Sequence, residues 1–425
     1  MAREATRFHI FTTGCKSNQW DSYVMAGRLK QEGLVHGPVG EADIVVVNGC
    51  TLTEKAERDI RRFVQRVREV NPGAKVILAG CHAQVYPERT FGSDLVLGQK
   101  EKFEIARFLG GEGCVREATR DFPVEEAAVN GAFRGRTRFF LKVQDGCDRF
   151  CTYCIVPYAR GRGRSRPSAT IVEDMARLKE KGIQEVVLTG IDIAAYKDPA
   201  SGLSFARFLS LLESAETPPR IRLSSVDPGA LDEEFAERLA SSRKFAHSVH
   251  IPLQSGSREI LQRMGRSYAP EDARSIVDTL HRYVSDIGIG MDVMAGFPGE
   301  GDEAFLETYR FLESLDIFYL HVFPYSDRLG TKAYLMGNKV PERTKRERVR
   351  RLKELDAGKR DAFRRRFVGR QVSIIPEGKV YRGKYMRGYA DNYLPVCLPF
   401  RKELENNLIT VRIERVEGDI LIGAH

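Results

Sequence analysis

The chain has 425 residues, 42% hydrophobic and 29% charged, a length for two or three domains and a composition that excludes intrinsic disorder. No apolar run approaches the roughly 18 residues of a membrane span, and MAREATRFHIFTTG lacks the apolar core and cleavage site of a secretory signal, so a cytoplasmic protein with no membrane attachment is expected. The net charge of +9 is concentrated: residues 331–425 hold 23 Lys+Arg against 12 Asp+Glu, residues 1–330 hold 44 against 46, and such a field reads as a docking surface for a polyanion, RNA or DNA, or as a solvated basic helix.

In chain order, Phe8–Thr12, Asp43–Val47 and Lys75–Ala79 are short β-branched runs that predict strands. Between them, Asp21–Gln31 and Glu54–Val70 carry apolar residues at helical spacing, Ile60, Phe63, Val64 and Val67 among them. Strands alternating with helices predict an open parallel sheet over residues 1–130. Cys15, Cys50 and Cys81 each follow one of these strands, in TTGC, VNGC and LAGC. In a parallel sheet those ends share one edge, so three thiols distant in sequence are expected to converge where such sheets bind ligands. Three buried core cysteines, or a zinc site completed by His82, are the other readings of this set.

A linker candidate, 117–137, separates this region from a second α/β stretch, 133–366. Its strand candidates are Phe139–Gln144, Glu185–Thr189, Ile221–Ser225, Ser248–Pro252, Gly290–Ala295 and Tyr319–Pro324. Six strands with intervening helices suggest a full or partial (β/α) barrel whose chemistry sits at the strand C-terminal ends. Residues 341–366 read as one long basic helix. From 367 to 425 the texture changes to short alternating strands, QVSII, YLPVCL and LITVRIERV, which predict a small antiparallel barrel.

Eight cysteines in a long chain without a secretory signal point to metal or catalytic thiols rather than disulfides. Residues 147–154, CDRFCTYC, form a C-x3-C-x2-C run with no histidine nearby. A structural zinc needs four protein ligands; three thiolates on a short loop suit an iron–sulfur cubane with one open iron. Cys114 and Cys397 have no partner at ligand spacing and are expected to pack in the core.

The three-cysteine loop after a barrel strand resembles the defining motif of radical S-adenosylmethionine enzymes. Together with GCKSNQWDS, the three dispersed cysteines, KVQDGCDRFCTYCIVPYARGRGRSR, HIPLQSGSREILQRMGR, DVMAGFPGE and HVFPYSDRLGT, the chain resembles the methylthiotransferases of that group over nearly its whole length, with a C-terminal segment similar to the TRAM RNA-binding module. The GCK start, LTGIDI, ARGRGRSR and GYADNYLPV look most like the branch that modifies N6-threonylcarbamoyladenosine beside the tRNA anticodon. The isopentenyl-adenosine branch and the branch acting on a ribosomal-protein aspartate are the alternatives, and a non-catalytic iron–sulfur RNA-binding protein is the alternative from another class. VNGC departs from the family, which more often has Thr or Ser where Gly49 stands.

The resemblance implies a radical-generating 4Fe-4S cluster on Cys147, Cys151 and Cys154, whose open iron binds S-adenosylmethionine, and a second 4Fe-4S cluster on Cys15, Cys50 and Cys81 that presents sulfur. It also implies an electron donor such as a flavodoxin or ferredoxin, and a substrate in the tRNA anticodon stem-loop. Candidate S-adenosylmethionine contacts are Tyr153, Thr189, Gly190, Asp192, Ser225 and Gln254, each of which serves equally as a turn, cap or core residue. For RNA, Lys379, Arg382, Lys384 and Arg387 interleave with Tyr389 and Tyr393, as cations for phosphates and rings for unstacked bases, and Arg364, Arg365 and Arg366 extend the track. No heptad pattern calls for an obligate assembly, so a monomer is expected.

Overall fold

The buried strands IVVVNG and KVILAG, apolar on both faces, need cover on both sides, which a parallel sheet with crossover helices supplies. The computed structural model describes residues 5–117, 121–122 and 137–425; the linker candidate 117–137 lies mostly outside them. The chain divides into two compact units, one of Met1–Arg134, Lys142–Arg166 and Ser326–Tyr334, the other of Gly135–Leu141, Pro167–Tyr325 and Leu335–His425.

In the first unit, β1 (Arg7–Thr12), β2 (Val35–His36), β3 (Ile44–Gly49), β4 (Lys75–Gly80), β5 (Leu95–Leu97) and β6 (Gly113–Val115) form one parallel sheet in the order β2-β1-β3-β4-β5-β6. Phe8, Val46 and Ile77 pack with Met25 and Leu29 in one cluster, and Val45, Val47 and Leu78 pack with Ile60, Val64 and Val67 in another. The helix Glu54–Val70 has the expected bounds, and Thr53 caps it by accepting from Ala56 N–H. The first helix runs Lys16–Gln31, five residues longer than its apolar spacing predicts, because its first turns bury polar Ser17, Asn18 and Asp21.

In the second unit, β7 (Arg138–Lys142), β10 (Glu185–Thr189) and β11 (Arg220–Leu223) form one sheet, and β12 (Ser248–Gln254), β13 (Gly288–Ala295) and β14 (Tyr319–Pro324) another. The two-residue strands β8 (Gln144–Asp145) and β9 (Arg164–Ser165) pair with each other in the first unit. Bridges Ile221↔Phe245 and Ser225↔His250 join the two sheets, giving the partial six-strand barrel. The long helix spans Glu342–Arg365 and buries Lys345, Arg348, Leu352 and Phe363. The C-terminal strands β15 (Gln371–Pro376), β16 (Tyr385–Ala390), β17 (Pro395–Pro399), β18 (Ile409–Glu417) and β19 (Ile420–Ala424) close into a barrel in the order β15-β16-β17-β19-β18. The expected antiparallel order fails at one seam, where β17 and β19 run parallel. Five strands in a closed ring cannot alternate direction at every pair.

This small barrel is bolted to the larger one. Glu185 on β10 accepts from Arg222 Nε (3.0 Å) and Nη2 (3.1 Å), all of it buried. Arg222 then donates to the carbonyls of Ala390 (2.9 Å) and Asp391 (2.8 Å), and Arg220 to those of Tyr389 (3.0 Å) and Ser373 (2.9 Å). The segment after β16 thus plugs the mouth formed by the N-terminal ends of β10 to β13, with the Asn392 carbonyl so near Gly288 that a Cβ there would lie 1.9 Å away. Removing one partner from a buried ion pair strands the other. Arg222→Met is therefore expected to lower stability by about 3–5 kcal/mol in chemical unfolding, while Arg365→Met, which breaks an exposed pair with Asp361, costs under about 1 kcal/mol.

Candidate metal centre

β1, β3 and β4 are neighbours, so the cysteines that follow them meet at one sheet edge. Gly14, at φ +94°, turns the chain there, and a Cβ on it would fall 2.7 Å from Cys50 Sγ. Cys50 N–H donates to Thr13 Oγ1 (2.9 Å), and Gln99 Nε2 donates to Cys81 Sγ (3.1 Å). Burial, with Cys81 and Cys15 adding to it, pushes the Cys50 thiol up to about 12. Cys81 is also raised by burial, against the pull of Arg160 and Lys102. The three thiols thus share one sheet edge, with Cys15 and Cys81 near enough to act on Cys50. His82, the fourth ligand of the zinc reading, contacts the Arg89 carbonyl through Nε2 (3.1 Å) and rests on Phe91 (ring centroids 5.0 Å apart). Among the described residues, no three His, Cys, Asp or Glu side chains close on a single ion.

Beside the thiols lies a buried ion network. Asp21 accepts from Lys102 (2.6 Å), Lys142 (2.6 Å) and Arg160 (2.8 Å), and Asp145 accepts from Lys142 (2.7 Å) and, at both oxygens, from Arg160 Nη1 (2.9 and 3.0 Å). Arg160 also bonds Asn18 Oδ1. Burial alone would raise both carboxyls; the cations outweigh it and hold them well below the usual range. Buried Lys102, Lys142 and Arg160, with Arg164 3.4 Å from Asp145, face these two buried carboxylates, an excess of positive charge in a low-dielectric interior that an anionic partner offsets. Thiolates are such a partner, so this donor set suits an iron–sulfur cluster.

The second set, Cys147, Cys151 and Cys154, sits on a loop tied down at both ends. Cys147 N–H donates to the Gly161 carbonyl (3.1 Å), Gly163 N–H to Asp148 (3.0 Å), and Ala333 N–H to the Thr152 carbonyl (2.8 Å). Gly146, at φ +70°, passes so close to the Arg162 carbonyl that a Cβ would lie 1.9 Å from it. Tyr153 is half-buried within this loop. Arg160 and Asp145 flank the loop and Asn18 and Asp21 follow Cys15, so one network braces both cysteine sets. Sequence reading missed it, because nothing in the motif ARGRGRSR marks Arg160 as buried and Asp21 reads as the first residue of the expected helix.

In the second unit, Thr189 closes β10, Gly190 and Asp192 follow it, Ser225 bridges to His250, and Gln254 ends β12 at φ +71° with its buried Oε1 lacking a hydrogen-bond partner. All lie at C-terminal strand ends, the rim where the barrel pattern places chemistry. Of the RNA candidates, Lys379 and Lys384 are exposed. Arg365, Arg366 and Arg382 pair with Asp361, Asp316 and Asp419, Arg387 lies near Glu377 (3.9 Å), and Arg364 is mostly buried against Asp419 and Asp361. Tyr389 and Tyr393 stack on each other (5.1 Å), with Arg138 over one ring (4.3 Å) and Arg222 over the other (5.0 Å). Their faces are taken by the module's docking, so the expected open stacking platform is not there. Cys397 is buried as expected, whereas Cys114 is exposed on edge strand β6, which corrects its assignment to the core. At Gly49 a Cβ would meet Ile60 Cδ1 at 2.8 Å and His82 Cβ at 3.2 Å, so glycine fits the packing where Thr or Ser was expected.

A model of the Radical SAM superfamily matches residues 141–312, and one of Uncharacterized protein family UPF0004 matches residues 7–98. Threonylcarbamoyladenosine tRNA methylthiotransferase MtaB of Thermotoga maritima is 37% identical, covering 97% of this chain and 98% of its own. A tRNA-2-methylthio-N(6)-dimethylallyladenosine synthase of Lachnoclostridium phytofermentans is 30% identical over 98% and 94%. Among solved structures, the radical S-adenosylmethionine methyltransferase TsrM of Kitasatospora setae, with cobalamin and a 4Fe-4S cluster bound, shares the fold with a TM-score of 0.58 at 18% identity, over 78% of this chain and 77% of that one.

Substituting Asp21 tests the network: Asp21→Asn leaves three buried cations on one carboxylate and is expected to cost about 3–5 kcal/mol in chemical unfolding, with Lys102→Met in the same chain restoring part of the loss.

Proposed function

We infer the function from kinship: the chain belongs to the methylthiotransferases of the radical S-adenosylmethionine superfamily, and it inserts a methylthio group at C2 of N6-threonylcarbamoyladenosine in tRNA. The observation that carries this is near-complete coverage at 37% identity with an enzyme named for that substrate, against 30% for one named for the dimethylallyl base. 4Fe-4S clusters and S-adenosylmethionine, held by the residues assigned below, would supply the radical chemistry and the sulfur and methyl for substitution at adenine C2.

The chain's own residues hold and orient these groups. We assign Cys147, Cys151 and Cys154 to the radical cluster and Cys15, Cys50 and Cys81 to the auxiliary one; the clamped loop and the convergent thiols beside excess positive charge support the two sets. Thr189, Gly190, Asp192, Ser225 and Gln254, with Tyr153, are assigned to S-adenosylmethionine, supported by their strand-end positions. The domain reading is residues 1–130 for the auxiliary cluster, 133–366 for radical chemistry and 367–425 for RNA binding. Exposed Lys379 and Lys384, with Arg365, Arg366, Arg382 and Arg387, contact phosphates of the anticodon stem-loop. The enzyme works in the cytoplasm as a monomer, with a flavodoxin or ferredoxin as electron donor; among the described residues no helix is long and apolar enough to cross a membrane.

Alanine at Cys147, Cys151 and Cys154 is expected to abolish formation of 5′-deoxyadenosine and to halve the iron bound. Alanine at Cys15, Cys50 and Cys81 also halves the iron but preserves 5′-deoxyadenosine while methylthiolation stops. Retained methylthiolation in either triple variant contradicts the assignment. Lys379→Ser with Lys384→Ser is expected to flatten the salt dependence of RNA binding by roughly 0.7–0.9 in log–log slope for each phosphate that the variant no longer neutralises, measured by titration at several salt concentrations. Point substitution is the appropriate test, since deleting the module would unplug the barrel.

A further inference from the structure

The lumen of the partial barrel holds a polar set outside the residues assigned above to the clusters and S-adenosylmethionine. Asp292 on β13 lies between two imidazoles, with its Oδ1 3.0 Å from His250 Nε2 on β12 and 2.8 Å from His321 Nδ1 on β14. His250 Nδ1 lies 2.9 Å from the Tyr319 hydroxyl. The strand neighbours Ile251, Met291, Val293 and Leu320 are fully buried in the apolar core, so the polar four share the opposite, inward face. Gly290 makes room for them: a Cβ there would lie 2.1 Å from the Tyr319 ring.

Barrel interiors of this kind are ordinarily filled with branched apolar side chains. Here the recess is polar and open, for the His321 side chain is 69% exposed although it sits mid-strand. The docking plug closes the lower end, where the Tyr393 ring lies 6.0 Å from Tyr319. Of the rim candidates, Gln254 stands at the other end of β12, and Thr189 and Ser225 at the corresponding ends of β10 and β11. Cations border the recess, with Arg222 over the Tyr393 ring (5.0 Å) and Arg360 over the Tyr319 ring (4.9 Å), which favours an anion. The hydrogen bond to Asp292 raises His321, against burial and Arg360, with Asp356 adding to the rise. Nδ1 is committed to Asp292, which leaves Nε2 as the edge for a ligand.

We propose that this recess receives the carboxylate-bearing N6 substituent of the target base, with His321 Nε2–H donating to the carboxylate and Asp292 fixing the ring. The proposal rests on the substrate reading above. It accounts for choice between substrates, since an apolar substituent would leave these donors unpaired, and a site built to hydrogen-bond rejects analogues lacking the group.

The test measures binding of an anticodon stem-loop RNA carrying N6-threonylcarbamoyladenosine, and of its methyl ester, to the wild type and to His321→Leu. Loss of one charged hydrogen bond corresponds to about tenfold or more in Kd. Esterification is expected to weaken wild-type binding by at least about tenfold and to change binding to His321→Leu by less than about threefold, with 5′-deoxyadenosine formation from S-adenosylmethionine intact in both. Asp292→Asn, which frees the ring, is expected to show intermediate discrimination. Equal discrimination by wild type and His321→Leu, or none by the wild type, overturns the proposal alone. Wild-type turnover of the isopentenyl RNA in place of the threonylcarbamoyl RNA overturns the substrate reading and this proposal together.

Discussion

The first unit depends on the pairing of Asp21 with Lys102, Lys142 and Arg160. Buried ions are costly to desolvate, and their mutual attraction recovers that cost only with close geometry. Here the distances are 2.6–2.8 Å and the cations come from three separate segments of chain. The positive surplus lies against Cys81, where Arg160 and Lys102 oppose the rise that burial imposes on the thiol. The same Arg160 reaches Asp145, two residues before Cys147. One ion network therefore braces both cysteine-bearing segments of this unit.

The second unit rests on a related arrangement with a different outcome. Arg220 and Arg222 donate to backbone carbonyls of the C-terminal module, so the barrel mouth is sealed by main chain rather than by apolar side chains. That leaves the lumen polar from the plug to His321. The C-terminal module is therefore also a structural part of the barrel, and Tyr389 and Tyr393 serve that docking.

Much of this was legible in the sequence. β-branched runs located the strands because parallel strands are buried on both faces, and the strand–cysteine spacing located the three thiols because parallel strands end on one edge. The C-x3-C-x2-C loop carried its own chemistry. The start of the first helix was hidden because Asn18 and Asp21 read as surface residues when their cations lie more than 80 positions away. The docking role of Tyr389 and Tyr393 was hidden for the same reason, since the guanidiniums that cover them come from β7 and β11. The parallel seam of the small barrel follows from ring closure, a constraint that no local pattern records.

Nucleoside mass spectrometry of total tRNA from cells with and without this gene tests the assigned activity most directly. The expected result is loss of the methylthio form of N6-threonylcarbamoyladenosine with accumulation of its unmethylthiolated parent. Loss of the methylthio isopentenyl nucleoside instead, or no change in either, would contradict that activity.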